Sequence, residues 1–521
     1  MEFISLMESL ICVPLIAALV MAVVPKKASQ AVFEAVHVLS VVFVCVVGCY
    51  LSIGVMAMNE SIMTPSMWFN MDALSAVFVL LIGVVGCMTG LFSIPYIRHD
   101  VEAGNMDAGQ VKLYYVFFNL FVFTMLLAAL SNNIIMMWAS VEATTLSTVF
   151  LVSAYSKKKL SLEAGWKYII VCTCGVAFGL YGTVLTFANA NAVLGSSADA
   201  VLWTSILQVA DSFDPMLMAI AFVFAVIGFG TKAGLFPMHT WLPDAHSEAP
   251  SPVSALLSGV LLKCALLVII RFYVLACQSV GAWLPQLVML VIGALTICVA
   301  AVSMYAQNDL KRKLAYSSCE NVGFVALCLG FGGAIGIVAA LLHCIFHSLT
   351  KAFMFCLSGN ILMKYGTRDL KKIQGVVHVA PLTGTLLGVG FFALAGMPPF
   401  AMFTSEIMAF IGGIDAGLVW LVVVIGLALT IVMAACVKVV TGSVFSKAPE
   451  GMQKGDVPAF AFVPEVILLA LILWFGVAMP EPVIQGVENA AGIVLQESTA
   501  ALHDAPIVED IFAHTDQSEL D

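Results

Sequence analysis

Charge is scarce in this sequence. Of its 521 residues only 22 are Lys or Arg and 32 are Asp or Glu, while 61% are hydrophobic. Globular domains are about half apolar and about a quarter charged, so an ordinary soluble core is excluded. The few basic residues form no patch, and the net charge is −10, which together argue against a nucleic-acid surface. Metal-ligand spacing is missing too. The 14 Cys are scattered singly through apolar runs, the nearest pair is Cys172-Thr-Cys174, and there is no C-x-x-C framework of the zinc or iron–sulfur kind. These cysteines read as small buried hydrophobes. Gly228-Phe-Gly230 and Gly330-Phe-Gly332 lack the strand–loop–helix setting of a dinucleotide site and read as close packing or helix breaks. No Ser or Cys triad is visible. The expected tally of catalytic residues, cofactor ligands and metal ligands on this chain is therefore none, and any redox centres belong to other chains.

What the sequence has instead is length in apolar runs. Mean hydropathy is +1.05, and a bilayer crossing needs about 20 apolar residues. The expected fold is an all-α integral membrane protein with about 14 transmembrane helices, at 8–24, 31–57, 72–97, 113–130, 134–154, 162–188, 215–236, 252–275, 283–305, 315–331, 334–363, 380–412, 415–440 and 459–479. The first is not read as a cleavable signal, because it opens with Glu2 and Glu8 and lacks a basic stretch.

The distribution of cations orients the spans. Outside the spans every Lys and Arg, from Lys26 and Lys27 through Arg98, Lys112, Lys157 to Lys159, Lys311 to Lys313, Lys364, Arg368, Lys371 and Lys372 to Lys447 and Lys454, falls in an odd-numbered connection, and Lys167, at the start of span 6, is counted with the connection before it. Even-numbered connections and both ends hold none. The positive-inside rule then puts odd connections in the cytoplasm and both termini outside, in a bacterial or archaeal cytoplasmic (inner) membrane. The tail 480–521 has no Lys or Arg and reads either as one amphipathic helix, from the spacing of Val483, Ile484, Val487, Ile493 and Val494, or as a frayed terminus.

Ionisable residues inside spans cost about 2.5–3.5 kcal/mol each at a helix centre, so each needs a reason. They are Glu142 in span 5, Lys232 in span 7, Lys263 and Arg271 in span 8, His343, His347 and Lys351 in span 11, Glu406 in span 12 and Lys438 in span 13. His343, His347 and Lys351 stand at i, i+4 and i+8, one helix face over about 12 Å, and imidazole titrates near neutrality. Such a row passes protons. Lys438, alone in its span, reads equally as a structural partner, and Arg271, near a helix end, as a snorkelling side chain. Spans 7 and 12 look discontinuous, at Gly230-Thr-Lys232-Ala-Gly234-Leu-Phe-Pro237 and at Gly396-Met-Pro398-Pro399-Phe400 before Glu406. An offset of five spans inverts topology, so the expected organisation is helices 1–3 over 1–112, a first inverted five-helix repeat over 113–275, a second over 283–440, helix 14 at 459–479, and the acidic outer-side tail.

Two stretches carry a family resemblance: His239-Thr-Trp-Leu-Pro-Asp244-Ala-His246-Ser-Glu248-Ala-Pro-Ser-Pro-Val-Ser-Ala-Leu and Gln307-Asn-Asp-Leu-Lys311-Arg312-Lys313-Leu-Ala-Tyr-Ser-Ser. With Asp72-Ala-Leu-Ser and Trp138-Ala-Ser-Val-Glu142 they resemble the antiporter-like membrane subunits of respiratory complex I, Mrp-type cation antiporters and membrane-bound hydrogenases, over spans 3 to 13. Ser-Ser-Cys-Glu320-Asn-Val-Gly and Pro-Pro-Phe-Ala-Met-Phe-Thr-Ser-Glu406 are similar to the hydrogenase-4 type within that family. The resemblance implies that Glu142 modulates the charge of Lys232, that Lys263 connects towards the centre, that His343, His347 and Lys351 form the central relay, and that Glu406 ends the second half. Some relatives carry Lys at that last position. His239, Asp244, His246 and Glu248, on the cytoplasmic side by the cation count, are candidates for proton entry or subunit contact. Glu320 is a further auxiliary position.

The function so implied is a proton-translocating membrane subunit of a multisubunit redox-driven complex, complex I-like or hydrogenase-4-type, not catalytic alone. Its partners would be other membrane and soluble subunits carrying iron–sulfur or metal centres, with the lipid bilayer and protons, or sodium in their place, and no nucleic acid. Two alternatives stay open: an Mrp-type cation/proton antiporter component, and an energy-coupling subunit for inorganic carbon uptake paired with a soluble zinc protein.

Overall fold

The computed structural model describes residues 2–26, 28–195 and 197–497. Lys27, the side chain of Glu2 and the tail beyond residue 497 lie outside the described residues. Among the described residues thirteen helices, from Phe3–Val23 to Ala459–Val477, are long and apolar enough to cross a membrane. The expected span at 380–412 is the one that fails this length test. It is two helices, Pro381–Leu394 and Ala401–Asp415, separated by a non-helical Ala395–Phe400 stretch.

Lipid demands that backbone groups be satisfied within the protein, so the bundle is almost wholly helical. The only strands among the described residues are Ile62–Met63 and Asn70–Met71, paired antiparallel with Ile62 opposite Met71. This short ladder was not anticipated by an all-α reading. It closes the connection before the helix Ala73–Glu102, where Asn132 Nδ2 donates to the Met67 carbonyl at 2.8 Å. Three spans form the buried spine, Ser251–Val280, Leu310–Phe331 and Gly333–Tyr365, with the more peripheral spans open on one side. Close packing around the first break depends on glycine: a Cβ on Gly228 would run into the backbone of Gly179.

Several helices run further than the apolar pattern implied. Arg98 lies within Ala73–Glu102, Lys159 starts Lys159–Leu194, and Lys311 and Lys313 lie within Leu310–Phe331. Lys311 and Lys313 are each 1% exposed, which corrects their reading as connection residues. Their ammonium groups reach backbone carbonyls, Ala249 O at 2.5 Å and Met304 O at 2.7 Å, instead of solvent. The tail is helical over Glu481–Leu495, as the amphipathic alternative had it. Val483, Val487 and Val494 are buried, and Asn489 Nδ2 donates to the Met56 carbonyl at 3.1 Å.

Arg271 does not snorkel. It is 4% exposed, its guanidinium makes two contacts of 2.7 Å with Asp72 and one of 3.0 Å with Ser75 Oγ, and it stacks 4.2 Å above the Trp203 ring. A buried carboxylate within reach outcompetes water for a planar fork of donors. Asp72 also caps the helix Ala73–Glu102 through Ser75 N at 2.8 Å, so one ion pair ties the start of that helix to the spine. Burial alone would raise the Asp72 carboxyl, but Arg271 pulls it below its ordinary value of 3.8.

Arg271→Met leaves that carboxylate buried and unpaired and should cost about 3–5 kcal/mol, read as a lowered thermal midpoint in detergent. Because the folded carboxyl titrates below its unfolded value, the pair's contribution is complete above about pH 3.8 and is lost as the pH falls through the lower folded value. Unfolding measured across acid pH should therefore show a shallower dependence in the variant.

Candidate functional site: a row of buried titratable side chains

The first break sets Lys232. Asp214 caps the helix Pro215–Ala233 through Met216 N and Leu217 N, and the helix stops at Gly234, whose φ of +86° suits glycine. Lys232 thus sits in a last turn, where free carbonyls favour a cation. Its Nζ donates to Thr145 Oγ1 at 2.8 Å and to Tyr168 OH at 2.6 Å. Trp241 Nε1 bonds the Thr231 carbonyl at 2.8 Å and Phe236 N bonds Thr296 Oγ1 at 3.0 Å, so the interrupted backbone is satisfied by side chains.

Glu142 is half-buried one turn from Thr145 on the helix Ile134–Val152. One of its oxygens accepts from Thr173 Oγ1 at 2.9 Å, and the other has no partner. Among the described residues no ion pair joins Glu142 to Lys232. Thr145, which holds Lys232, stands one turn from Glu142 on the same helix.

The segment after the break is not a surface loop. Met238–Thr240 and Trp241–Glu248 are helical and mostly buried, with Trp241 at 0% exposure, because this aromatic anchor and three ion pairs draw the segment into the bundle. Asp244 is held by Arg312 at 2.6 Å and Lys167 at 3.1 Å, and Glu248 by Arg368 at 2.7 Å. Their charges are engaged within this chain. His239 is mostly buried beside Phe236 and Tyr316. His246 is wholly buried against Phe355, and both of its ring nitrogens lack partners.

Lys263 follows a π-turn at Leu257–Leu261. Widened turns release backbone oxygens, and here Ser258 O takes the Lys263 ammonium at 2.6 Å. Ser258 Oγ lies 2.7 Å from Ser318 Oγ, which joins this helix to Leu310–Phe331. On the long central helix Gly333–Tyr365, His343, His347 and Lys351 share one face, all at 1% exposure or less. The His343 and His347 rings stack 6.1 Å apart, and His347 has no partner at either nitrogen. Lys351 Nζ donates to Ser317 Oγ at 2.7 Å and Leu314 O at 3.0 Å.

Beyond His343 the row turns towards the second break. Its Nε2 lies 3.0 Å from Asn321 Oδ1 and its Nδ1 3.0 Å from Ser405 Oγ. Asn321 also donates to Glu320. Glu320 and Glu406 line one cavity of about 210 Å³. Glu406 lies against Gly396, where the helix is interrupted and where a Cβ would strike its carboxylate. Hydroxyl, amide and carbonyl groups thus tie Lys263 and Lys351 to the helix Leu310–Phe331 and His343 to Asn321, Glu320 and Ser405, Glu406 shares a cavity with Glu320, and Lys232 is held separately by Thr145 and Tyr168. Lys438 stands apart. It is exposed in the last turn of Val419–Val439, its ammonium 5.0 Å from the Tyr305 ring.

Sequence reading missed the linking side chains, Thr145, Tyr168, Ser317 and Ser405, because a hydroxyl within an apolar run carries no signal. It also passed over Glu465 and His37, each a titratable residue inside a span and so detectable. Both are wholly buried: Asn360 Nδ2 donates to Glu465 at 2.8 and 3.0 Å, and His37 contacts Asn119 at 2.9 Å and Gly90 O at 3.3 Å. Among the described residues no cluster of three His, Cys, Asp or Glu could hold a metal ion.

A transmembrane family described as NADH:quinone oxidoreductase/Mrp antiporter matches residues 131–433, and one described as the N-terminus of complex I chain 5 matches residues 58–104. The chain is 40% identical over 344 residues to a hydrogenase-4 component F homolog of Methylacidiphilum infernorum, covering 66% of this chain and 72% of that one. It is 29% identical over 430 residues to Na(+)/H(+) antiporter subunit A1 of Staphylococcus aureus, covering 77% of this chain and 51% of that one. Among solved structures, a chain of the membrane-bound sulfane sulfur reductase, an archaeal respiratory membrane complex, superimposes with a TM-score of 0.83 at 23% identity, covering 95% of this chain and 98% of that one. A chain of the Mrp complex from Dietzia sp. DQ12-45-1b does so at 0.81 and 19%, covering 98% and 100%.

Gly396→Ala tests the second break. Its φ of +63° alone costs an L-residue about 1–2 kcal/mol, and the new Cβ must also displace Glu406. Gly417→Ala, at φ +75° with open space around it, carries only the backbone cost. The Gly396 variant should lose more thermal stability than the Gly417 variant.

Proposed function

The chain belongs to the NADH:quinone oxidoreductase/Mrp antiporter family of multi-pass membrane subunits, and from that premise we propose that it translocates protons along its buried Glu, Lys and His row within a multisubunit redox-driven complex of the hydrogenase-4 or complex I type. The observation that carries this reading is the state of the lysines. Lys232, Lys263 and Lys351 are wholly buried and held by hydroxyl or carbonyl oxygens, and among the described residues no carboxylate pairs with them. An ammonium so placed is free to give up its proton, because no paired charge holds it.

Glu142 supplies the control. At about 6 Å and an effective dielectric of about 20, a Glu–Lys pair interacts by roughly 2.8 kcal/mol. Movement of Glu142 towards Lys232 favours the charged lysine. Separation releases its proton towards Lys263, from there to the central trio, and by way of His343 to Glu320 and Glu406. A signal from a neighbouring subunit that moves Glu142 would make the transfer directional. The two broken helices support reading 113–275 and 283–440 as inverted repeats, each with a titratable group at its break. The cation count supports placing the Lys- and Arg-rich side in the cytoplasm and the protein in a bacterial or archaeal cytoplasmic membrane. Redox cofactors would sit on partner subunits.

A cation/proton antiporter component is the second reading, favoured by the likeness to the Na(+)/H(+) antiporter subunit and to a chain of an Mrp complex. The experiment is proton translocation by the intact complex in inverted vesicles. Lys232→Ala and Glu142→Ala, correctly assembled, should each slow it by roughly tenfold or more, with no requirement for sodium. Wild-type rates in both variants would refute the row as the pathway, and strict sodium dependence without a redox partner would favour the antiporter.

A further inference from the structure

A polar cavity of about 580 Å³ lies at the Lys- and Arg-rich end of the spine, lined by Asp100, Tyr155, Glu248, Lys311 and Arg368 among others. Tyr155 donates to Asp100 at 2.5 Å, and Arg368 pairs with Glu248. Lys311 lines this cavity yet is only 1% exposed. It sits in the first turn of Leu310–Phe331, where the helix dipole disfavours a cation. Its ammonium donates to Ala249 O at 2.5 Å, and among the described residues no ion pair joins it to a carboxylate. Its environment is thus that of Lys232 and Lys351.

Inward from Lys311 there is a bridge. His246 is three residues before Ala249, and Ser254 Oγ ties their carbonyls, at 2.7 Å to His246 O and 3.5 Å to Ala249 O. The ring is 0% exposed and unpartnered at both nitrogens. The ring stacks 5.2 Å from that of Phe355, one helical turn beyond Lys351 on Gly333–Tyr365. Along Leu310–Phe331 itself, the oxygens that hold Lys351 belong to Leu314 and Ser317, about 4.5 and 9 Å of helix rise beyond Lys311.

Resting on the proton-conducting reading, we propose that this cavity is the proton inlet from the Lys- and Arg-rich side, with Lys311 as its acceptor and His246 as the link to the central row. Neutral Lys311 Nζ takes a proton from solvent in the cavity and becomes ammonium. It then passes one proton to a ring nitrogen of His246, which becomes imidazolium and returns to neutral by giving a proton to neutral Lys351. Each step moves one proton and leaves the donor ready for the next.

The competing role for Lys311 is a plain cap on the Ala249 carbonyl. Lys311→Arg separates the two, because Arg keeps the donor but is not deprotonated in proteins. In inverted vesicles carrying the intact complex, Lys311→Arg should slow proton uptake during turnover by roughly tenfold or more. Wild-type uptake in Lys311→Arg would overturn the inlet. Should that variant not assemble, His246→Gln, which keeps a planar uncharged group against Phe355, takes its place with the same two outcomes. Lys232→Ala is measured alongside. If it too pumps at the wild-type rate, the conducting row itself fails; if only the inlet variant does, the inlet alone falls.

Discussion

A cation taken into an apolar bundle must be held by something, and the choice of partner decides what it can do. Arg271 is paired with Asp72, Arg368 with Glu248 and Asp309, and Arg98 with Glu34. The buried lysines are held differently. Lys232, Lys263, Lys311, Lys313 and Lys351 donate only to hydroxyl or carbonyl oxygens. Guanidinium stays charged and wants a carboxylate fork, so the arginines lock elements together. An amine bonded to neutral oxygens is stable enough to stay and loose enough to release its proton.

The helix interruptions follow from this constraint. Neutral oxygens inside a membrane helix are normally consumed by its own ladder. The Gly234 stop, the π-turn before Lys263 and the Gly396 stop each disturb that ladder beside a titratable residue. At Lys263 the π-turn supplies the accepting carbonyl directly, and at Gly396 the missing Cβ makes room for Glu406. Local irregularity is therefore the means by which polar groups are seated.

Much of this was legible in the residues. Hydropathy located the spans, and the Gly- and Pro-rich stretches marked both breaks. A titratable residue in an apolar run is conspicuous, which is why Lys232, Lys263 and the central trio stood out. Partners were not legible. Tyr168 and Thr145 look like ordinary helix residues until Lys232 meets them, and Asp72 and Arg271 are 199 residues apart. The stretch His239–Pro252 falls between two expected spans, yet its Asp244 and Glu248 are paired with Arg312, Lys167 and Arg368 from distant helices. Pairing across the fold is a property of topology, and periodicity carries no trace of it.

At the centre of the account stands Lys351, the lysine at one end of the imidazole pair and close to both halves of the row. The most direct measurement is the number of protons moved per turnover of the driving reaction by the intact complex carrying Lys351→Met, with assembly checked in the same membranes. If the row conducts, that ratio falls while the complex remains assembled. An unchanged ratio would contradict it.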